Sequence, residues 1–356
     1  MPAVWKYYTH ASNSGAPLAE LALSNVSIED VLSGTGTLTG SLDLYDPMSS
    51  RAYCAPWLHE ITATRDDVIA FHGPIVSRIP RTKEGVIEFA AATPQAYLYK
   101  RFTEGARTYK KEQFQIIRDM ITNATAKTNG ALYRFAATTN NSGVTVSMTM
   151  GGSERQRVSD LIENMSKDAA GQFDFRWDYA WFNFAAHTVT RTLTLGYPLL
   201  GRDLSTARVV ESSTDLVELV DVEDGMRAAN RVHVMGAGAG VKRLRAVGVS
   251  ANSIGHGYPL LEEAFDHTEV KSQSALQGIA NHIVGNIVPN TRHFTSTHTI
   301  SAEMPFGFVD LGDTVQMNIK VGVEQFSAKR RVVKITTDPQ LNQQTFTYID
   351  PLGASY

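Results

Sequence analysis

The chain has 356 residues, 43% of them hydrophobic and 19% charged, with a formal net charge of −3. That is more chain than one hydrophobic core usually spans, so two to four domains are expected, and the apolar content excludes a mainly disordered protein. Near-neutral charge without a long basic stripe excludes a dedicated nucleic-acid binder and a chain drawn to anionic membranes by its field.

The amino-terminal Met1–Lys6 has no apolar h-region, so a secretory signal is not expected. Thr37–Tyr45 largely alternates apolar and polar residues, the period-two mark of a half-buried strand. Ile61–Arg65 does the same, and Asp66 and Asp67 supply turn chemistry before Val68–His72, which predicts a hairpin. Gly73 and Pro74 break that run before it resumes at Ile75–Arg78, a pattern for a bulge or kink on a barrel edge. Val86–Phe89 closes this region. Further on, Phe114, Ile117, Met120 and Ile121 fall at helical spacing. Thr138–Gly143 reads as a polar loop. Ser153 and Gln156 have capping-box spacing ahead of a helix with Val158, Leu161, Ile162 and Met165 on one face, ending near Gly171.

Phe173–Tyr179 alternates aromatic and polar residues throughout, and Arg191–Leu195 is expected to continue its sheet. Leu216–Val222 is among the longest apolar runs, but Glu218 and Asp221 interrupt it. Nothing approaches the ~20 apolar residues of a membrane span. Asn230–Met235 reads as a strand entering the glycine-rich turn Gly236–Gly240. Ser274–Ile287 reads as a helix through Leu276, Ile279, Ile283 and Ile287. Four further strands are expected at Thr295–Ile300, Thr314–Ile319, Arg331–Ile335 and Thr345–Ile349, the pattern of a barrel or sandwich.

Signs of chemistry are sparse. The glycines of Gly236–Gly240 follow a strand, but the third position of a dinucleotide fingerprint falls on Val241 and the next segment is strand-like, so a hairpin turn is expected. The ten histidines show no H-x-H or H-E-x-x-H spacing, and they read as solvated or hydrogen-bonded side chains. Cys54, the one cysteine, lies near Pro56 and Trp57 and reads as an inert thiol. No G-x-S-x-G elbow occurs. The acidic pairs Asp66-Asp67 and Glu262-Glu263 fit surface solvation better than a glycosidase carboxylate pair, which spacing alone does not exclude. The aromatic stretch Phe173–Phe184 suits a sheet core or a carbohydrate platform, with alternation favouring core for Phe173, Phe175, Trp177 and Tyr179. Lys329, Arg330 and Arg331 form a short basic cluster, read as a solvated edge or a subunit contact in preference to a nucleic-acid patch. No cofactor or metal site is expected, and no catalytic residue stands out.

Taken in order, several stretches resemble the minor tail proteins, or tail-tip hub proteins, of long-tailed bacteriophages, which are related to the baseplate hubs of contractile-tailed phages. Leu32–Asp43 resembles an early barrel strand of that family, and Ile61–Ile75 its paired strands with a Gly-Pro-Ile kink. Tyr97–Arg101 resembles the exit from the first barrel, and Leu195–Gly201 a mid-chain segment before a strand pair. Ala229–Val234 resembles the family's Asn-Arg-Val strand. Phe308–Val315 resembles its late Leu-Gly-Asp strand, in which Gly312 is expected at positive φ and Asp313 to cap its own turn.

The resemblance implies a β-rich α+β fold with two tube-like β-barrel domains and smaller α+β domains between them. The expected boundaries are a first barrel at 1–100, an α+β domain at 101–205, a strand-rich domain with one helix at 206–290, and a second barrel at 291–356 that takes strands from 206–250. It also implies a structural, non-enzymatic virion protein at the tail tip, made in the host cytoplasm. The hub would be a homotrimer under a tail tube or distal tail protein ring. Other minor tail proteins, a tape measure protein or receptor-binding proteins would lie nearby, with DNA only in transit and no stable membrane insertion. The chain stops at Tyr356, without the carboxy-terminal extension that carries a peptidase or receptor-binding module in larger relatives. The alternative expectation is a carbohydrate-binding or cell-wall-hydrolysing tail protein.

Overall fold

The computed structural model describes residues 4–103, 107–127, 130, 135–150, 155–167, 171–210, 216–222, 225–226, 228–268, 270, 272–287, 293–322 and 324–349. The chain begins with β1 (Trp5–Ala11), β2 (Pro17–Glu20), β3 (Ser24–Val31) and β4 (Thr37–Asp43), followed by the short helix α1 (Arg51–Cys54). Next come β5 (His59–Arg65), β6 (Val68–Arg81), β7 (Val86–Ala92) and α2 (Gln95–Tyr99). Asp66 and Asp67, at φ 49° and 65°, make the two-residue turn between β5 and β6. Two left-handed residues in a row suit the twist of a hairpin, and aspartate tolerates that region better than most residues.

β6 runs unbroken through Gly73 and Pro74 but changes partner there. Val68–Pro74 pairs with β5, and Ile75–Arg81 pairs with β7 after a register shift near Ile75. The kink read from the Gly-Pro pair is therefore a change of neighbour within one strand. Only glycine fits at 73, because a Cβ there would lie 1.9 Å from the Ala92 carbonyl oxygen. Ile61, Phe71, Ile75, Ile87, Phe89, Leu38 and Leu42 fill the core beneath these strands.

The middle of the chain holds β8 (Arg107–Glu112), α3 (Gln113–Thr125), β9 (Phe135–Ala137), β10 (Thr145–Met150), α4 (Val158–Ser166) and the long hairpin β11 (Asp174–Asn183) and β12 (Thr188–Gly196). Glu112 caps α3, its carboxylate accepting from the Gln115 N–H at 2.9 Å. Phe114, Ile117 and Met120 on α3 and Leu161 and Ile162 on α4 pack against Phe173, Phe175, Leu193 and Leu195. Arg157 occupies the cap position of α4 and offers no side-chain cap, so Gln156 precedes the helix. Ser153 lies outside the described residues, and the capping-box register expected from the sequence does not start this helix.

The next segment has β13 (Val209–Val210), β14 (Leu216–Val222), β15 (Arg231–Met235), β16 (Arg245–Val249), α5 (Ala251–Gly255), β17 (Glu262–Asp266) and α6 (Gln273–Asn286). β15 pairs antiparallel with β16 across the glycine-rich turn and parallel with β17. Val232, Val234 and Ala246 bury their side chains against Leu276, Ala280 and Val284 of α6. The chain then adds β18 (His293–Thr299), β19 (Thr314–Val321), β20 (Glu324–Asp338) and β21 (Gln343–Ile349) around Phe294, Val315, Met317, Val332, Phe346 and Tyr348.

One 13-stranded sheet joins the first and last of these groups, in the order β14-β18-β21-β20-β3-β4-β7-β6-β5-β1-β2, with β19 also on β20 and β13 on β19. Among the described residues no closed barrel is found. The physical reason is the pairing of β20 with β3, from Lys334 opposite Val31 to Thr337 opposite Ile28. A sheet edge that could close one half on itself is used instead to join the two halves. The fold is thus β-rich α+β, with four separate cores among the described residues.

Candidate functional site

No group of His, Cys, Asp and Glu among the described residues could hold a metal ion. Cys54 is buried, its thiol donates to the Ser49 carbonyl at 2.9 Å, and burial pushes that thiol up. The depression lined by Ser250, Ser253, His256, Tyr258 and Pro259 is largely solvent-exposed. The unusual chemistry lies inside the protein, where the β11–β12 hairpin meets both halves of the large sheet.

On β12, Val189, Arg191, Leu193 and Leu195 are all buried, so Arg191 falls in phase with the apolar face. Its guanidinium Nη2 donates to Glu60 Oε2 on β5, and its Nε donates to His72 Nε2 on β6 at 2.8 Å. All three side chains are at most 1% exposed. Glu60, Thr62 and Thr64 line one face of β5 while Ile61 and Ala63 line the other, so the strand is buried on both sides. Burial raises the Glu60 carboxyl, opposed by Arg191, and it lowers His72, where Arg191 adds to the effect.

On β11, Asp174 reaches the other half of the sheet. Its carboxylate accepts from Arg331 of β20 and, at 2.8 Å, from the Leu200 N–H. Arg331 also donates to the carbonyls of Gly312 at 3.1 Å and Leu200 at 2.9 Å. Arg176 extends the same contact to Asp310 at 2.8 Å and the Leu311 carbonyl at 3.0 Å. Ser33 Oγ accepts from the Phe175 N–H at 3.1 Å, and Trp181 donates its indole N–H to the Asp67 carbonyl at 2.8 Å. The hairpin is therefore tied to β5–β6 through Arg191 and to β20 through Asp174. Asp30, near Asp310 and Asp178, has its carboxyl pushed up to about 7, mainly by burial.

Gly312 adopts φ +90° and abuts Gly201 at φ +98°. Asp313 is buried; its carboxylate accepts from the Arg202 N–H at 2.7 Å, the Arg202 guanidinium at 2.5 Å and the Asp310 N–H at 3.0 Å. A side chain at 312 meets both strained backbone and the Leu200 carbonyl oxygen, 2.6 Å from an ideal Cβ. Gly312→Val is accordingly expected to lower stability by more than about 1 kcal/mol, read as a shift in melting midpoint. An unchanged midpoint would reject the turn's role.

The basic cluster divides. Lys329 is exposed and pairs with Asp203 at 2.8 Å, and Arg330 lies over the Phe326 ring at 4.6 Å. Arg331 corrects the surface reading: it is 1% exposed and committed within the chain to Asp174. Pro74 lies opposite Glu60, beside Gly73 at the partner change of β6. Phe173 and Phe175 are buried, Trp177 stacks on Phe135 at 5.0 Å, and Tyr179 faces His72 at 5.9 Å. Phe182 and Phe184, near the hairpin tip, are exposed.

Sequence reasoning missed Arg191, Glu60, His72 and Asp174. Arg191 carried a usable signal, because it stands in phase with Val189, Leu193 and Leu195, where a solvated arginine does not belong. Glu60 and Asp174 carried none, since their partners are remote in sequence.

No family model matches the sequence, and no curated protein matches it. Solved structures do match its fold along nearly the whole chain. The 43 kDa tail protein of prophage MuSo2 from Shewanella oneidensis superposes with a TM-score of 0.65 at 10% identity, covering 98% of this chain and 99% of that one. The tail protein from Neisseria meningitidis MC58 gives 0.58 at 11% identity, covering 97% and 96%. Prophage tail protein gp18 from Listeria monocytogenes EGD-e gives 0.56 at 8% identity, covering 97% and 94%. The tail-protein resemblance read from the sequence thus holds at the level of fold.

Proposed function

We propose, taking the fold shared with phage tail proteins as the premise, that this chain is a structural protein of a phage tail tip. The observation that carries the reading is the mutual coverage: 98% of this chain matches 99% of a prophage tail protein. The chain acts as a homotrimeric hub below the tail tube or a distal tail protein ring, meeting other minor tail proteins, a tape measure protein or receptor-binding proteins. The four cores serve as its domains, and the sheet halves around the first and last of them stand for the two tube-like barrels.

The role is geometric and no reaction is assigned to it. DNA crosses the ring without being held, a reading supported by the net charge of −3 and by the internal partners of Lys329 and Arg331. Electron microscopy of whole particles carrying a label on this chain tests it. The label is expected as a ring on the tail axis at its distal end, with more than about 1,000 Å² buried at each subunit contact. Absence from finished particles, or a single copy on the tail periphery, would reject the proposal.

A further inference from the structure

A chain of hydrogen bonds with one fixed direction runs through the buried face of β5. Arg191 Nε carries a hydrogen and only donates, so His72 Nε2, 2.8 Å away, must be the bare nitrogen of a neutral ring. The ring hydrogen of His72 is then on Nδ1, 2.7 Å from Thr62 Oγ1, and donates to it. The Thr62 hydroxyl donates in turn to His10 Nε2 at 2.8 Å. His10 therefore carries its hydrogen on Nδ1, and the backbone of Gly15 lies close to its ring. Every link follows from the first, and the chain ties β12 to β6, β5 and β1.

A proton on His72 Nε2 breaks the hydrogen bond that this nitrogen accepts from Arg191. It would face the Arg191 Nε–H, donor against donor and cation against cation. The carboxylate oxygen paired with it is Glu60 Oε2 at 3.3 Å, the same oxygen that receives Arg191, while Glu60 Oε1 is buried without a hydrogen-bond partner. The proton and the guanidinium compete for one carboxylate in a site where none of the three side chains is more than 1% exposed. The remaining groups that face this site are His10 on β1, Thr62 on β5 and Tyr179 on β11, with Asp30 and Asp178 acting on Tyr179. Among the described contacts none of these offers a second acceptor to His72 Nε2.

We propose that the Arg191–His72–Thr62–His10 chain is an acid-sensitive latch, and that protonating its imidazoles frees the β11–β12 hairpin from the first half of the sheet before the rest of the chain unfolds. The latch is independent of where the chain sits in a particle. Its sign follows from linkage. Burial lowers His10 to about 3 and His72 in the same direction, against an ordinary value of 6.5. The latched state therefore binds fewer protons than the released state below pH 6.5, and its stability falls as pH falls through that value. Two imidazoles correspond to roughly a 60-fold rise in the opening constant between pH 6 and pH 5. Glu60 works the other way, since its raised carboxyl takes up a proton in the closed state first. It is present in both proteins compared below, so it cancels.

Hydrogen exchange of the full chain at pH 7 and pH 5, corrected for intrinsic rates, tests the latch. Amides of 59–72 and 183–195 are expected to lose protection at least tenfold more than those of 229–249, which belong to the separate core around α6. In His10→Gln/His72→Gln, neutral at every pH, this excess is expected to vanish. An equal loss in the three segments, or an undiminished excess in the double variant, would overturn the proposal. Should the variant not fold, nitrogen spectra of the wild-type imidazoles decide. Both rings are expected to stay neutral, with hydrogen on Nδ1, while 183–195 stays protected. A His72 ring that titrates near 6.5 with the hairpin still protected would overturn the latch as well.

Discussion

Asp174→Ala is expected to cost about 3–5 kcal/mol of unfolding free energy, among the largest losses available to a single substitution in this chain. Asp174 and Arg331 are each 1% exposed, and they face each other between β11 and β20. Removing the carboxylate leaves a guanidinium buried with two carbonyls for company and no counter-charge, and it also removes the acceptor of the Leu200 N–H. Denaturant unfolding measures the loss. The double variant Asp174→Leu/Arg331→Met should lose less than the single, because an apolar pair of similar volume leaves no orphaned charge. Lys329→Ala supplies the contrast. Its partner Asp203 is exposed, and a surface pair of that kind contributes about 0–1 kcal/mol. If Asp174→Ala costs no more than Lys329→Ala, the hairpin is not tied to β20 in the way described.

Gly73→Ala is expected to destabilise by about 3 kcal/mol or more, at the upper end of what overpacking does. The new methyl would lie 1.9 Å from the Ala92 carbonyl oxygen and 2.8 Å from its carbon. Both obstacles are backbone, so no side chain can swing aside, and β7 must shift against β6 where β6 changes partner. Gly225→Ala is the matched control: among the described residues nothing lies within 4 Å of a Cβ there, and the change should stay within about 0.5 kcal/mol. Comparable midpoints for the two variants would mean that the crossing at Ala92 is loose.

Much of this fold can be read from the order of residues, and the part that cannot has a common cause. Period-two alternation places β4, β5, β11 and β15, though β11 runs on to Asn183, and helical spacing places α3, α4 and α6, though α4 ends at Ser166 and not near Gly171. Short elements such as β2, β9 and β13 have too few residues to show a period, and β17 is almost wholly exposed, so it has no buried face to alternate. β1, where Tyr7, Thr9 and His10 are all buried, lacks clean alternation because both its faces are covered. The internal ties fail to register for a different reason. Arg331 reads as one of three basic residues in a surface cluster, and only the arrival of Asp174 from another part of the chain makes it interior. The open sheet is equally invisible locally, since no residue of β3 or β20 announces that the two will pair.

That pairing sets a timetable. β3 ends at Val31 and its neighbour Lys334 is about three hundred residues away, so the seam between the sheet halves forms only after most of the polypeptide has left the ribosome. Until then β3 has β4 on one side and bare N–H and C=O groups on the other, a template for any extended strand nearby. Several nascent copies made on one message would display that same unsatisfied edge close together, where exchange between chains competes with the correct seam. Yield of folded protein should therefore depend on how fast the last strands are delivered, more than on the stability of the finished sheet.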